Sequence, residues 1–86
     1  MPAKPLIVTA HARARMQSRQ VRPQWIEDTV RAPDWTEPDP RDPTVERRFR
    51  AIAQFGDRVL RVACVETLAT IRIISVMFDR SARRKS

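Results

Sequence analysis

A chain of 86 residues with a formal net charge of +7 at pH 7 suits one small domain over residues 1–86, with no room for a second core. Apolar content is ordinary at 42% and there is one Gly, which excludes a flexible low-complexity chain; no apolar run approaches a membrane span and no secretory signal is expected ahead of the first charged helix, so no membrane partner is expected. Seventeen basic residues face ten acidic ones, and all but Lys4 and Lys85 of the basic set are arginine, which binds phosphate bidentately and stacks on bases, so nucleic acid is the leading partner class.

Met1 to Lys4 reads as a loose arm, and Leu6-Ile7-Val8 as a brief strand. Thr9 is placed as the N-cap of a helix that stops near Gln20, since no Gly or Pro interrupts the run. At about 100° per residue, His11 and Arg15 lie one turn apart on the same side, and Arg19 follows one turn on. The apolar stripe is only Ala12 and Met16, so a polar strip lies close to the core. Pro23 fits the first turn of a second helix reaching Ala32. There Trp25, Ile26, Thr29 and Val30 share one arc, Glu27 and Arg31 form an i,i+4 pair, and Trp25 is the main anchor. Pro33 ends that helix. Pro33 to Pro43 holds four prolines and four acidic residues and reads as an extended, exposed loop.

Three strands should follow. From Thr44 to Phe55, Val45, Arg47, Phe49 and Ala51 point one way and Glu46, Arg48, Arg50 and Ile52 the other. Phe55-Gly56-Asp57-Arg58 is a tight turn holding the one glycine. Val59 to Glu66 is the second strand, Thr67-Leu68-Ala69 turns, and Thr70 to Phe78 is the third. Both later strands are nearly continuously apolar, which predicts central positions covered on much of both faces. Asp79 to Ser86 is a basic end, with residues 80–86 forming a short helical turn or a flexible tail. The expected fold class is α+β: a short N-terminal strand, two helices and a three-stranded antiparallel meander, with the helices covering one sheet face.

Several short motifs recur in a known order. His11-Ala12-x-x-Arg15-Met16-x-x-Arg19 opens the chain, and Trp25-Ile26-Glu27 and Arg31-x-Pro33 follow. The strands carry Arg47-Arg48-Phe49-Arg50, Val59-Leu60-Arg61-Val62 and Phe78-Asp79-Arg80. In this the chain resembles a group of small uncharacterised bacterial domains, opening His-Ala-x-x-Arg-Met, that are classed near the RelE and BrnT toxins. Ile71-Arg72-Ile73-Ile74-Ser75 is similar to a strand of BrnT-type toxins. The resemblance covers most of residues 7–80. It implies a RelE-like, barnase-related two-layer fold and an RNA-cleaving toxin (an mRNA interferase) paired with an antitoxin. Many RelE relatives use a C-terminal tyrosine at the cut site; this chain has no tyrosine, so another group would take that role.

Metal-independent RNA cleavage needs a base, an acid and cations around the charged phosphorane. Histidine is the side-chain type suited to acid or base work near neutrality, and His11 is the one histidine, so His11, Arg15 and Arg61 are the candidate catalytic residues. Arg19, Arg48, Arg50, Arg72 and Arg80 are the candidate nucleic-acid contacts. Arg61 and Arg72 interrupt apolar runs, where an unpaired arginine is costly, and pairing with Glu46, Glu66 or Asp79 is the structural alternative. His11 could equally be a structural histidine bonded to the backbone, and residues 80–86 a non-specific electrostatic arm. One Cys and one His give no basis for a zinc site, so neither metal nor cofactor is expected. Cys64 reads as a small buried apolar residue, and its lack of an internal disulfide partner fits a reducing cytoplasm.

Three functions compete. The first is an RNA-directed toxin-type ribonuclease acting on free or ribosome-bound message. The second is a non-catalytic nucleic-acid binder. The third is an interaction module whose basic surface takes an acidic protein, such as an antitoxin with a segment that folds over the arginines.

Overall fold

Residues 3–82 are described by the structure, a computed structural model. The capping chemistry read in the sequence starts its helices. Thr9 is extended (φ −67°, ψ 161°) and its Oγ1 accepts the Ala12 N–H at 3.2 Å, opening α1 (Ala10–Ser18). Pro23 sits at the first position of α2 (Pro23–Arg31), where its missing N–H removes no intrahelical bond. Ala12 and Met16 of α1 and Trp25, Ile26, Thr29 and Val30 of α2 turn inward.

Where a short N-terminal strand and a separate three-stranded meander were expected, the sheet has five strands. They are β1 (Leu6–Val8), β2 (Trp35–Pro38), β3 (Glu46–Ile52), β4 (Arg58–Glu66) and β5 (Ile71–Phe78), in the spatial order β1-β5-β4-β3-β2. β3, β4 and β5 pair antiparallel in chain order. β1 adds to β5 in parallel, and β2 adds to β3 antiparallel. The fold is thus α+β with two helices and a mixed sheet.

β2 lies inside the stretch read as a loop. Prolines signal a loop, but Pro38 ends an edge strand, where a missing donor breaks no ladder between central strands. Trp35 gives β2 its hold: its ring stacks on Phe49 across the ladder, with centroids 4.8 Å apart and planes 2° from parallel. After β2, the Asp39 and Asp42 carboxylates accept the Arg41, Asp42 and Thr44 amides and order the turn into β3.

Both helices pack on one sheet face. Ala12, Trp25, Ile26 and Val30 join Ile52, Leu60, Val62, Cys64, Ile71, Ile73 and Val76 in one core. The cover expected on both faces of the apolar strands is only partial: among the described residues no helix lies over the face bearing Arg47, Phe49, Arg61, Arg72 and Met77, although Phe49 and Ala63 are buried there and Trp35 stacks on Phe49. The apolar run in β5 has a different cause. Cys64 pairs with Ile73 and Ala63 with Ser75, so Ile74 is an extra residue that shifts the alternation. The bulge also receives α1: the Ile73 carbonyl accepts the Thr9 N–H at 3.2 Å, and the Ile74 carbonyl accepts the Thr9 hydroxyl at 3.4 Å.

Two arginines close the C-terminal end of α2. Arg48 donates to the Val30 carbonyl (3.0 Å), Glu46 (2.8 Å) and Glu66 (2.6 Å), and Arg50 donates to the Ala32 carbonyl at 2.6 Å. These carbonyls lie at or beyond the last helical turn, where intrahelical donors run out. Glu66 also takes Lys4 at 2.7 Å, and the Lys4 carbonyl accepts Arg31 at 2.7 Å. Lys4 is therefore tied down rather than part of a loose arm. Met1, Pro2 and residues 83–86 of the expected basic tail lie outside the described residues.

Arg48→Met should keep the stem but leave the Val30 carbonyl and both carboxylates without their guanidinium, lowering stability by about 2 kcal/mol in urea titrations. The Arg48 and Lys4 hydrogen bonds hold the Glu66 carboxyl down to about 2, from an ordinary 4.5. A folded value below the unfolded one means stability that is complete above about pH 4.5 and lost as pH falls toward 2. The urea midpoint should fall across that window, and Glu66→Gln should flatten part of the fall.

Candidate functional site

The arginines divide by what they touch. Arg31 pairs with Glu27 at 2.6 Å, Arg47 with Asp39 at 3.3 Å, Arg48 with Glu46 and Glu66, and Arg61 with Asp79 at 3.0 Å. Arg50 is spent on a helix carbonyl. Arg13, Arg15, Arg19, Arg22, Arg41, Arg58, Arg72 and Arg80 have no carboxylate partner among the described residues and are exposed. Arg13, Arg15, Arg19 and Arg22 sit on α1 or on the segment that leaves it.

Three of these free cations meet at one cleft of about 570 Å³. Arg19 enters from the C-cap of α1, Arg58 from the first position of β4, and Arg80 from just beyond β5. Phe55, Val59, Met77 and Phe78 supply its apolar lining. Packing fixes that lining. Phe55 ends a single 3-10 turn (Ala53–Phe55), with its ring 5.1 Å from Phe78 and 5.5 Å from Trp25. Trp25 in turn meets Phe78 edge-on at 6.3 Å. The Arg58 guanidinium lies over the Phe55 ring, 4.8 Å from its centroid, a cation–π contact that directs the charge over the cleft.

Asp79 closes one wall. Partial burial works against its charged form, but the Ser81 hydroxyl (2.8 Å) and amide (3.0 Å), with Arg61 alongside, hold its carboxyl below the usual range. Asp79 is thus committed to Arg61 and to the turn through Arg80 and Ser81. Among the described residues, no group of three or more His, Cys, Asp or Glu side chains is placed to hold a metal, and no helix is long and apolar enough to cross a membrane. Cys64 is fully buried, and burial pushes its thiol up, away from the reactive thiolate.

The expected site residues do not converge as one set. His11 and Arg15 stand exposed on α1, on the helix-covered side. Arg61 pairs across the sheet with Phe49 and Met77 on the opposite face, bonded to Asp79 and to the Met77 sulfur. Of the expected nucleic-acid contacts, Arg19 and Arg80 line the cleft. Arg48 and Arg50 are held at the end of α2, and Arg72 is exposed on the open face beside Ile7 and Val65. Arg58 is the residue that sequence reasoning missed. Its signal was available: an arginine three positions after an aromatic, across a turn containing the one glycine, returns over that ring.

The family model of a domain of unknown function (DUF4258) matches residues 8–78, and the chain belongs to that family. No curated protein and no solved structure matches the chain.

The turn that presents Phe55 and Arg58 runs through two consecutive left-handed residues, Gly56 (φ 64°) and Asp57 (φ 57°). A Cβ at Gly56 would meet no atom within 4 Å, so Gly56→Ala tests backbone conformation alone. It should cost about 1 kcal/mol in thermal or urea unfolding.

Proposed function

We propose that this DUF4258-family chain is an RNA-directed domain that binds RNA through the cleft of Arg19, Arg58 and Arg80. One observation carries the reading: three guanidiniums without carboxylate partners converge from three separate elements over a lining of phenylalanine rings. Guanidiniums grip phosphate oxygens bidentately, and an aromatic surface beside them suits an unstacked base. Arg31, Arg47, Arg48, Arg50 and Arg61 are paired off on carboxylates or carbonyls, and of the arginines left without such partners it is these three that gather at one cleft. The resemblance to RelE and BrnT toxins extends the proposal to a RelE-like toxin-type domain acting on free or ribosome-bound message. Its antitoxin would then be an acidic chain that covers the same arginines.

Cleavage is the second reading, favoured by His11. Its ring is exposed, bonded to no described residue and one turn from Arg15. It is thus open to act as acid or base on an RNA that runs along α1 from the cleft. In this reading Arg61 acts at a distance, by holding Asp79 in the cleft wall.

Fluorescence anisotropy with a short single-stranded RNA tests binding. Three phosphate contacts give a slope of log affinity on log salt of about −2. Arg19→Ala, Arg58→Ala and Arg80→Ala should each weaken binding about five- to tenfold and reduce that slope by about 0.7. Arg72→Ala should weaken it less than any of the three. Affinity independent of salt, or equal loss at Arg72, would sink the assignment. For cleavage, wild type and His11→Ala are compared on the same RNA with chelator present; turnover lost in the variant supports His11, and equal turnover removes it from the chemistry.

A further inference from the structure

A second cleft, of about 530 Å³, lies on the other side of Phe55. Its character differs from the first. Gln20, Gln24 and Gln54 line it, with Arg22, Trp25 and Phe55. Each glutamine amide carries both donors and an acceptor, the complement of a base edge rather than of a phosphate. Gln20 is the residue just past the α1 cap, with a left-handed backbone (φ 55°). The side chains of Gln20 and Gln54 are bonded to no described residue, while Gln24 gives one N–H to Asp28 at 2.9 Å. The Arg22 guanidinium stands 5.8 Å from the Trp25 ring centroid. Phe55 is lined on both sides and 38% exposed, so its ring forms the ridge between an arginine cleft and a glutamine cleft.

We infer that a single-stranded RNA segment crosses this ridge, with a phosphate among Arg19, Arg58 and Arg80 and the adjacent base in the glutamine cleft against Phe55. The inference rests on the RNA reading of the arginine cleft and adds a site for the base. The volume is within the range of ligand clefts, about 300–1,000 Å³. Neither Gln20 nor Gln54 belongs to the core, so both change without loss of packing. The arrangement assigns two jobs to two sets of residues. The arginines set affinity for any strand, and the glutamines with Phe55 set the gain from having a base next to the gripped phosphate.

The experiment compares a short single-stranded RNA with the same length of abasic backbone, binding each to wild type, to Gln20→Ala/Gln54→Ala and to Arg19→Ala. The expected result has three parts. Wild type binds the base-bearing strand at least fivefold tighter. The double glutamine variant loses most of that difference while keeping its affinity for the abasic strand. Arg19→Ala weakens both strands by the same factor. Equal binding of the two strands by wild type overturns the base site and leaves the phosphate site standing. So does a glutamine variant that keeps the full difference. Absence of binding to either strand at low salt overturns the RNA reading itself and the base site with it. Circular dichroism of each variant establishes that lost binding is not lost fold.

Discussion

The guanidinium of Arg48 is the contact on which the rest of the domain depends. Only 12% of its side chain is exposed. It satisfies the Val30 carbonyl at the end of α2, the Glu46 carboxylate of its own strand and the Glu66 carboxylate at the end of β4. A group so placed would be costly without partners; here burial opposes its charge, and the two carboxylates more than offset that, raising its pKa. Through Glu66 the same network reaches Lys4 and the entry to β1. One side chain thus fixes the angle of α2 on the sheet and joins a central strand to an edge strand. Trp25, held by α2, can then meet Phe55 and Phe78 where the two clefts adjoin.

This network also sorts the positive charge. A basic chain of this size could scatter its arginines over a solvated surface. Instead the sheet and the end of α2 consume Arg31, Arg47, Arg48, Arg50 and Arg61, each against a named acceptor. The acidic segment between α2 and β3 contributes to that consumption through Asp39. Among the described residues, six of the eight arginines without a carboxylate or carbonyl partner lie on α1, just after it or around Phe55, and Arg41 and Arg72 lie elsewhere. Under the RNA reading proposed above, net charge would attract the strand and the pattern of pairs would decide where it is held.

Much of the local structure was legible because it rests on local chemistry. Thr9 caps, Pro23 starts a helix, Trp25 and its neighbours face inward, and the two sides of β3 separate as the alternation predicts. The failures are long-range. β2 was hidden because Pro38, Pro40 and Pro43 dominate their surroundings, whereas Trp35 finds Phe49 only once the sheet forms. The continuous apolar run in β5 suggested cover on both faces, but the Ile74 bulge produces the same run with one face open. Arg61 against Asp79 was one of two alternatives in the sequence, and the fold realises the pairing. Arg48 and Arg50 look like surface cations in a motif, since no local signal shows a helix end arriving above them. Arg19, Arg58 and Arg80 are far apart in the chain, so their meeting is a property of topology alone.

The ends of the sheet have a consequence for solubility at high concentration. Its outermost strands are three and four residues long. Pro5 stands immediately before one of them and Pro38 terminates the other, with Pro40 close behind. A short margin that lacks N–H donors at its ends is a poor template for another copy of the chain. The open face carries cations that repel their like. A chain whose central strands are as apolar as many aggregation-prone segments is in this way protected at the places where a growing fibre would have to attach.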